Sequence, residues 1–287
     1  MVIKSHKKRL MKETTEDLII KNIANHRAFF LTQKTKGIPF RLTQLHTLKK
    51  SILEYQEKIE NALWEDLHKS PEEAYLTEIS IVLGEIDNHL KHLKKWASPK
   101  KVATPIHLLP SSSKVLYEPL GVALIVAPWN YPFQLLINSL VGSISSGCCC
   151  VLKPSPDTPN VAKVMDEMIS ENFDSDYISV AQGGREINTL LFGQRFDIIF
   201  FTGSSKVGKV VMRAAAENLT PVVLELGGKS PCIVDADANI DIAAKRIAWG
   251  KLINAGQTCI APDYLFAHQS IKDELLNKIA ENIKLMY

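Results

Sequence analysis

The sequence predicts an α/β protein in which a doubly wound parallel sheet is preceded by helices. In the first hundred residues, apolar side chains recur at spacings of three and four, which is typical of amphipathic helices. From residue 121 onward, short apolar runs alternate with helical stretches. Such alternation favours a parallel sheet with helices packed on its faces.

Two apolar stripes define the helical part. The first consists of Leu42, Leu45, Leu48, Ile52, Tyr55, Ile59 and Leu63. The second follows Pro71 and consists of Leu76, Ile79, Val82, Ile86, Leu90 and Leu93. Both stripes are short for a coiled coil, so we expect the helices to pack within one domain. Residues 105–119 then break the helical pattern and predict an extended segment.

The following residues predict the sheet. Strands are expected at 121–127, 148–152, 177–181, 197–201 and 221–225. Helices are expected after Pro132 and at 159–170, 185–192 and 204–217. Later elements are a helix at 240–254, a strand at 264–267 and a helix at 271–287. Ligands of such sheets bind at the carboxyl ends of the strands, which here carry Pro128–Pro132, Lys153–Ser155, Thr202–Ser204 and Leu226–Gly228.

Composition limits the class of protein. The 287 residues are 46% hydrophobic and 23% charged, which is typical of a globular protein, and the net charge of +3 argues against nucleic acid as a partner. The basic run Lys4–Arg9 is followed by no apolar stretch of signal-peptide length, and no apolar run is long enough to span a bilayer. These features predict a cytoplasmic protein.

The five cysteines do not predict a disulfide framework, because their number is odd and three of them are adjacent. Adjacent side chains on a strand point to opposite faces, so Cys148, Cys149 and Cys150 cannot converge on one ion. With no CxxC motif and no cluster of histidines, we expect no metal site.

Cys259 and Glu225 are the candidates for covalent chemistry. Cys259 is flanked by small and polar residues, and Glu225 precedes two nearby glycines, 34 residues earlier. A thiol and a carboxylate together supply a nucleophile and a general base. The alternative interpretation of Cys259 is an inert core cysteine.

Three further segments each allow a functional and a structural interpretation. The amide of Asn130, held between two prolines, suits an oxyanion donor or a simple turn. Lys153 suits a contact to ribose or phosphate, or a surface position after an edge strand. The glycines of Thr202–Gly208 suit a phosphate at a helix N-terminus, or only a helix cap.

Together these segments resemble one family, the NAD(P)-dependent aldehyde dehydrogenases. The runs PWNYPFQL, VLKPS, FFTGS with Gly208, LELGGKSP and GQTCIAPDY occur in the family's order and spacing, and the resemblance extends from about Ile20 onward. The runs RAFF, HLKHLKKW and GQTCIAPDY are similar to the class 3 branch, which prefers medium- and long-chain aliphatic or aromatic aldehydes. The resemblance implies oxidation of an aldehyde to a carboxylic acid with hydride transfer to NAD or NADP.

The resemblance also implies the role of each site residue. Cys259 forms the thiohemiacetal and thioester, Asn130 and the Cys259 N–H group hold the oxyanion, and Glu225 activates water. The cofactor contacts are Trp129, Lys153, Ser155, Gly203, Ser204, Gly208, Leu226 and Gly227.

The implied domains are an N-terminal helical part (1–104), an oligomerisation arm (105–119), a Rossmann-like dinucleotide-binding core (120–226) and the start of an incomplete α/β catalytic domain (227–287). The family continues well beyond Tyr287, so we expect a fragment or a truncated product. A homodimer is implied for a full-length parent, with the state of this chain left open.

Two alternative functions remain open, and one departure from the family pattern changes the expected cofactor preference. A truncated, inactive homologue would only bind nucleotide or a partner chain. An acylating enzyme would pass its thioester to coenzyme A, although Glu225 favours hydrolysis. Pro156 replaces a glutamate that many members use to bind the adenosine 2′-hydroxyl, so NADP should be accepted.

Overall fold

The amino-terminal part of the chain is helical in a computed structural model that describes residues 13–287. The basic run Lys4–Arg9 lies outside the described residues. The helices are α1 (Glu16–Leu31), α2 (Ile38–Leu67), α3 (Pro71–Ala74) and α4 (Ser80–Trp96). A π-helical turn (Tyr75–Ile79) joins α3 to α4.

The predicted stripe of α2 is the face that packs into the core. Its members from Leu45 to Leu63 are buried, and Leu42 at its start is half-buried. The second stripe is wrong at Leu76, which is 56% exposed. The wider π-helical turn shifts the phase of the helix, so that Thr77, Glu78 and Ile79 face inward instead.

The segment predicted to be extended, residues 105–119, contains one short strand, β2 (Ser113–Val115). It pairs in antiparallel fashion with β1 (Lys100–Val102), a strand that lies before this segment and that the sequence did not indicate. A 3₁₀ turn (Ile106–Leu108) lies between them.

Five strands form the central sheet, with helices between them in the chain. The elements are β3 (Val122–Val126), α5 (Pro132–Ser146), β4 (Cys149–Lys153), α6 (Pro159–Asn172), β5 (Ile178–Val180), α7 (Arg185–Phe192), β6 (Ile198–Gly203), α8 (Ser205–Ala216) and β7 (Val222–Leu226). The strand order is β5-β4-β3-β6-β7, and β3 pairs in parallel with both β4 and β6. This is the doubly wound sheet that the alternating pattern predicts.

The centre of the sheet is buried throughout. Every residue of β3 and β4 is buried, as expected for strands covered on both faces. Cys149 and Cys150 begin β4 and Cys148 directly precedes it, and all three have exposures of 1% or less. The cysteine triplet therefore packs as small core side chains.

The carboxyl-terminal residues form β8 (Ser230–Val234), α9 (Ile240–Leu252), β9 (Pro262–Ala267) and α10 (Lys272–Met286). β8 and β9 pair in parallel, and α9 packs against α10. The core of this part consists of Val234, Ala244, Ile271 and Leu275. The sequence did not indicate β8. The predicted helix over 240–254 ends two residues early, in a 3₁₀ turn over Ile253–Gly256.

The chain divides into two compact units, with the boundary between Glu225 and Leu226. The first unit contains the central sheet, and the second contains β8, β9 and their helices. Across residues 13–287, no helix combines the length and the apolar content needed to cross a membrane.

Candidate active site

The carboxyl edge of the central sheet collects the predicted cofactor segments of the first unit. Val126 at the end of β3 is in register with Lys153 of β4 on one side and Phe201 of β6 on the other. Adjacent strands lie about 4.8 Å apart. From β3 the chain adds β4 and β5 on one side of the sheet, and then returns to add β6 and β7 on the other side. Ligands of such sheets bind at the carboxyl edge where this reversal occurs, here between β3 and β6.

Asn130 lies in the loop between β3 and α5. Its side chain is half-buried, and its backbone carbonyl accepts a hydrogen bond from the Nζ atom of Lys69 at 3.2 Å. Trp129 beside it is 39% exposed, at the surface of the same loop. The Ala127 N–H group donates to the Lys153 carbonyl at 3.2 Å, which ties the start of the loop to β4.

Lys153 ends β4 in the interior of the sheet and is 1% exposed. The alternative of a surface lysine after an edge strand is therefore wrong. Its Nζ atom donates to the Pro154 carbonyl at 2.8 Å. Burial lowers the pKa of this ammonium group to about 8.

Ser155 and Pro156 continue this segment. Ser155 is buried, and its Oγ atom accepts the Asp157 N–H group at 3.2 Å. Pro156 is half-buried and Asp157 is exposed. Position 156 therefore lacks the carboxylate that many family members have there. The next residue, Asp157, carries a carboxylate instead.

Thr202–Ser204 forms the junction between β6 and α8. Ser204 caps α8, and its Oγ atom accepts the Val207 N–H group at 3.3 Å. A Cβ atom on Gly203 would come within 2.6 Å of the Phe201 ring, whose side chain is buried. Gly208 lies buried in the first turn of α8. The cap interpretation is thus correct, and the helix N-terminus remains suited to an anion.

Glu225 lies near the end of β7, the edge strand of the sheet. Its side chain is exposed, as are Leu226 and Gly227 after it. Glu225 closes the first unit, and Leu226 and Gly227 open the second.

Cys259 lies on an exposed turn in the second unit. The Ala261 N–H group donates to the Thr258 carbonyl at 3.1 Å and closes this turn just before β9. A Cβ atom on Gly228 would come within 2.7 Å of the Cys259 carbonyl oxygen. The parallel pairing of β8 and β9 therefore brings the two-glycine motif beside the cysteine motif, and an ion pair between Lys229 and Asp263 at 3.1 Å joins them again.

The turn before Cys259 has an unusual backbone. Asn254 and Ala255 have φ values of 55° and 53°, in the left-handed region that disfavours side chains with a Cβ atom. The Asn254 carbonyl accepts from both the backbone and the side chain of Gln257, each at 3.0 Å. This geometry ends α9 earlier than the sequence predicts, and such backbone strain is typical of functional sites.

Two residues that support the loop of Asn130 were not predicted from the sequence. Lys69 and Glu78 form a buried ion pair, with side-chain exposures of 2% and 0%. A glutamate among apolar neighbours in the second stripe was the available signal. No group of three or more metal-binding side chains occurs in the described part of the chain.

Comparisons with known proteins agree with this geometry. A sequence profile of the aldehyde dehydrogenase family matches residues 7–286. Over 271 residues the chain is 49% identical to the 4,4'-diaponeurosporen-aldehyde dehydrogenase of Staphylococcus aureus, covering 94% of this chain and 59% of that protein. It is 44% identical to aldehyde dehydrogenase family 3 member A2 of Macaca fascicularis, covering 91% and 54%.

A third relative is the dimeric NADP-preferring aldehyde dehydrogenase of Canis lupus familiaris, which is 43% identical, with 91% of this chain and 58% of that protein covered. The chain thus spans between half and two thirds of the length of these relatives.

Solved structures of the family have the same fold. The substrate-bound state of Staphylococcus aureus AldH matches with a TM-score of 0.92 and 49% identity, covering 94% of this chain and 59% of that one. An aldehyde dehydrogenase of Mycobacterium tuberculosis complexed with NAD+ matches with a TM-score of 0.86 and 26% identity, covering 95% and 56%. The predicted α/β fold class is confirmed, and the chain belongs to the aldehyde dehydrogenase family.

Proposed function

We propose that this chain carries the cofactor site and the nucleophile of an enzyme that oxidises an aldehyde to a carboxylic acid and reduces NAD or NADP. The observation that carries the proposal is the exposed Cys259 turn, held beside Gly228 by the pairing of β8 with β9. The relatives named above support it, because each is itself an aldehyde dehydrogenase.

The residues at the sheet edge fit a dinucleotide. The first N–H groups of a helix have no partners within the helix, so the start of α8 suits a pyrophosphate. A Cβ atom at Gly203 would clash with the Phe201 ring, so glycine is needed for this tight junction, and a bare backbone can come close to a phosphate. Lys153 has a buried ammonium group with donors available for ribose hydroxyls. Trp129, Ser155, Gly208, Leu226 and Gly227 complete the proposed contacts.

The domain assignment follows from these contacts. We assign residues 120–226 to the dinucleotide-binding core, residues 1–104 to the part before it that contains α1 to α4, and residues 227–287 to part of the catalytic domain. Residues 105–119 are assigned to an oligomerisation arm. Its apolar side chains support this, since Ile106, Leu109, Leu116 and Tyr117 are each more than half exposed.

Catalysis begins at Cys259 in this proposal. Its thiolate adds to the aldehyde carbon, the C–S bond forms, and the carbonyl electron pair moves to oxygen. Asn130 and the Cys259 N–H group donate hydrogen bonds to this oxyanion, and loss of one such donor costs about 100- to 1000-fold in rate. Bound NAD or NADP supplies the hydride acceptor that allows oxidation to the thioester.

Glu225 completes the reaction as a general base. It takes a proton from water, whose oxygen adds to the thioester carbon. The C–S bond then breaks, and the Cys259 thiolate leaves with the acid as product. Hydrolysis distinguishes this proposal from transfer to coenzyme A, so added coenzyme A should not raise the rate.

The test is aldehyde-dependent reduction of NAD and of NADP by this chain, measured with a medium-chain aliphatic aldehyde. Cys259→Ala should lower the rate by about a thousandfold or more, because no other group replaces the nucleophile. The matched control is Cys232→Ala, which removes a half-buried thiol from β8 in the same unit and should keep the rate. Since position 156 is proline, we expect comparable rates with both cofactors.

Binding of the reduced cofactor, followed by its fluorescence, separates the two leading functions. Binding together with turnover supports the dehydrogenase. Binding without turnover supports the alternative, in which the chain only binds nucleotide. An equal rate in Cys259→Ala and in the unvaried chain would contradict the role of this thiol.

A further inference from the structure

A buried ion pair joins Lys69, which follows α2, to Glu78 in the π-helical turn. Both side chains are almost completely removed from solvent, with exposures of 2% and 0%. Apolar replacements of such pairs are often as stable as the pair itself, so a buried ion pair is weak evidence for stability. The remaining contacts of the two side chains indicate what else the pair does.

The contacts of Lys69 lead to the loop that carries Asn130. Its Nζ atom donates to the Asn130 carbonyl at 3.2 Å. The same atom lies 4.3 Å from the centre of the Tyr131 ring, within cation–π range. Lys69 therefore contacts both the proposed oxyanion donor and the residue after it.

The contacts of Glu78 lead to the end of the same loop. One carboxylate oxygen binds Lys69, and the other accepts the N–H groups of Phe133 and Gln134 at 2.9 and 3.1 Å. These groups belong to the first turn of α5, whose own N-cap residue, Tyr131, provides no side-chain cap. Glu78 thus caps α5 from another helix, where a carboxylate also matches the helix dipole.

We propose that Lys69 and Glu78 are positioning residues for Asn130 and fix the backbone that follows its side chain, from the Asn130 carbonyl to the first turn of α5. The inference rests on the proposed function, which assigns the oxyanion contact to Asn130. A carbonyl held by Lys69 and a helix start held by Glu78 leave little rotation between Asn130 and Phe133. The amide group then meets the developing oxyanion without rearrangement, which is the condition for effective electrostatic stabilisation.

The π-helical turn explains how Glu78 reaches this site. The wider turn places Thr77, Glu78 and Ile79 at the buried face in succession, where a regular helix would turn one of them outward. The Thr77 hydroxyl donates to the Glu73 carbonyl at 2.7 Å, four residues earlier. Such turns occur often at functional sites, and here the turn delivers a carboxylate to α5.

The test variant is the double substitution Lys69→Met/Glu78→Met, which leaves no unpaired buried charge and so retains the fold. The matched control is Lys49→Ala/Asp87→Ala, which removes an ion pair between the half-buried Lys49 of α2 and the exposed Asp87 of α4. The first readout is hydrogen exchange, by mass spectrometry, of peptides covering residues 128–136. We expect these peptides to exchange at least tenfold faster in the Met/Met variant than in the unvaried chain. In the control, their exchange rate should not change.

The second readout is steady-state kinetics. Misplacement of Asn130 should lower kcat about 100-fold with little change in KM or in cofactor binding. In the Asn130→Ala background, the Met/Met substitution should lower kcat by less than twofold further, because the group that it positions is already gone. A role in stability alone would not give this loss of additivity.

Two results overturn the proposal: unchanged exchange at residues 128–136, or the same fall in kcat with and without Asn130. A chain without turnover in any form sinks the proposed function. In that case the exchange experiment still decides whether the ion pair holds this segment. The two failures are therefore distinguishable.

Discussion

Lys153 is a single residue at which stability and function are expected to conflict. Its ammonium group is buried at the end of an interior strand and donates to the Pro154 carbonyl. Burial lowers its pKa from 10.5 to about 8, and a shift of this size corresponds to about 3 kcal/mol of unfavourable free energy for keeping the charge in the folded chain at pH 7. A cofactor contact is a physical reason to keep a charge at this position.

We expect Lys153→Met to raise the free energy of unfolding at pH 7 by about 1 to 3 kcal/mol and to weaken cofactor binding at least tenfold. The measurements are urea unfolding, followed by circular dichroism, and fluorescence titration with reduced cofactor. Lys163→Met, at a side chain that is 73% exposed on α6, is the control.

The same lysine predicts a pH dependence of stability. Because the folded pKa of Lys153 lies below the unfolded one, the destabilisation by its buried charge is complete below pH 8 and disappears as the pH rises to 10.5. The variant should therefore lose this pH dependence, and a variant no more stable than the parent at pH 7 would refute the argument.

At the scale of an element, the 3₁₀ turn after α9 determines how the chain approaches Cys259. Asn254, Ala255 and Gly256 all have positive φ values, of which only the glycine adopts its value without strain. The buried Asn254 and its contacts with Gln257 keep the turn in this conformation. The turn therefore redirects the backbone from a helix to an exposed loop within a few residues.

Replacing Ala255 by glycine should remove the steric conflict at this position. We expect Ala255→Gly to stabilise the second unit by about 0.5 to 1 kcal/mol, less than the full left-handed penalty because glycine also has more freedom when unfolded. Hydrogen exchange of peptides from α9 and β9 should slow accordingly. In contrast, Ala244→Gly, at a buried position inside α9, should speed exchange of the same peptides. Faster exchange in Ala255→Gly would show that the turn is unstrained.

At the scale of the whole molecule, the first unit contains a buried histidine that connects α1 to the loop before β5. His26 of α1 is 0% exposed and contacts the Ser175 carbonyl at 3.1 Å through Nε2, while its buried Nδ1 atom has no partner in the structure. Burial lowers the pKa of His26 to about 4, although the backbone contact and the charges of Asp176 and Asp174 act in the opposite direction. Protonation would create a buried N–H group without an acceptor.

This depressed pKa predicts loss of stability in mild acid. The unfolded chain binds a proton at His26 below pH 6.5, whereas the folded chain resists until about pH 4, so stability falls between these values. Between pH 7.5 and pH 5, the free energy of unfolding should fall by about 2 kcal/mol because of His26. His26→Gln should reduce the difference between the unfolding free energies at the two pH values, and the exposed His46→Gln should not. An identical pH dependence in His26→Gln and the parent would exclude this role for His26.

Much of the fold was predictable because hydrophobic periodicity reports burial directly. The strands of the central sheet and the carboxyl ends that carry the cofactor segments follow from short runs that were predicted as strands ending at residues 152, 201 and 225. The errors lie where a local irregularity breaks the period. The π-helical turn places Leu76 at the surface. The left-handed residues after Leu252 end α9, although the apolar pattern of the sequence would continue the helix.

The support of the site could not be predicted in the same way. Glu78 reaches Phe133 across 55 residues of sequence, and no local pattern indicates that pairing. Similarly, the strand at Ser230–Val234 begins with a serine and a proline, which weaken its β signal, and it forms because β9 lies beside it. Contacts between distant segments decide these features, so they emerge only from the assembled fold.

Because Cys148, Cys149 and Cys150 are buried, the reactivity of the thiols reports whether this chain is folded. Cys259 is exposed and Cys232 is half-buried, whereas the other three sulfur atoms lie inside the central sheet. A colorimetric thiol reagent should therefore label at most two of the five cysteines in folded material and all five after denaturation. A preparation can thus be graded by its fast-reacting thiols before any assay of turnover, which separates misfolded chains from folded chains that lack activity.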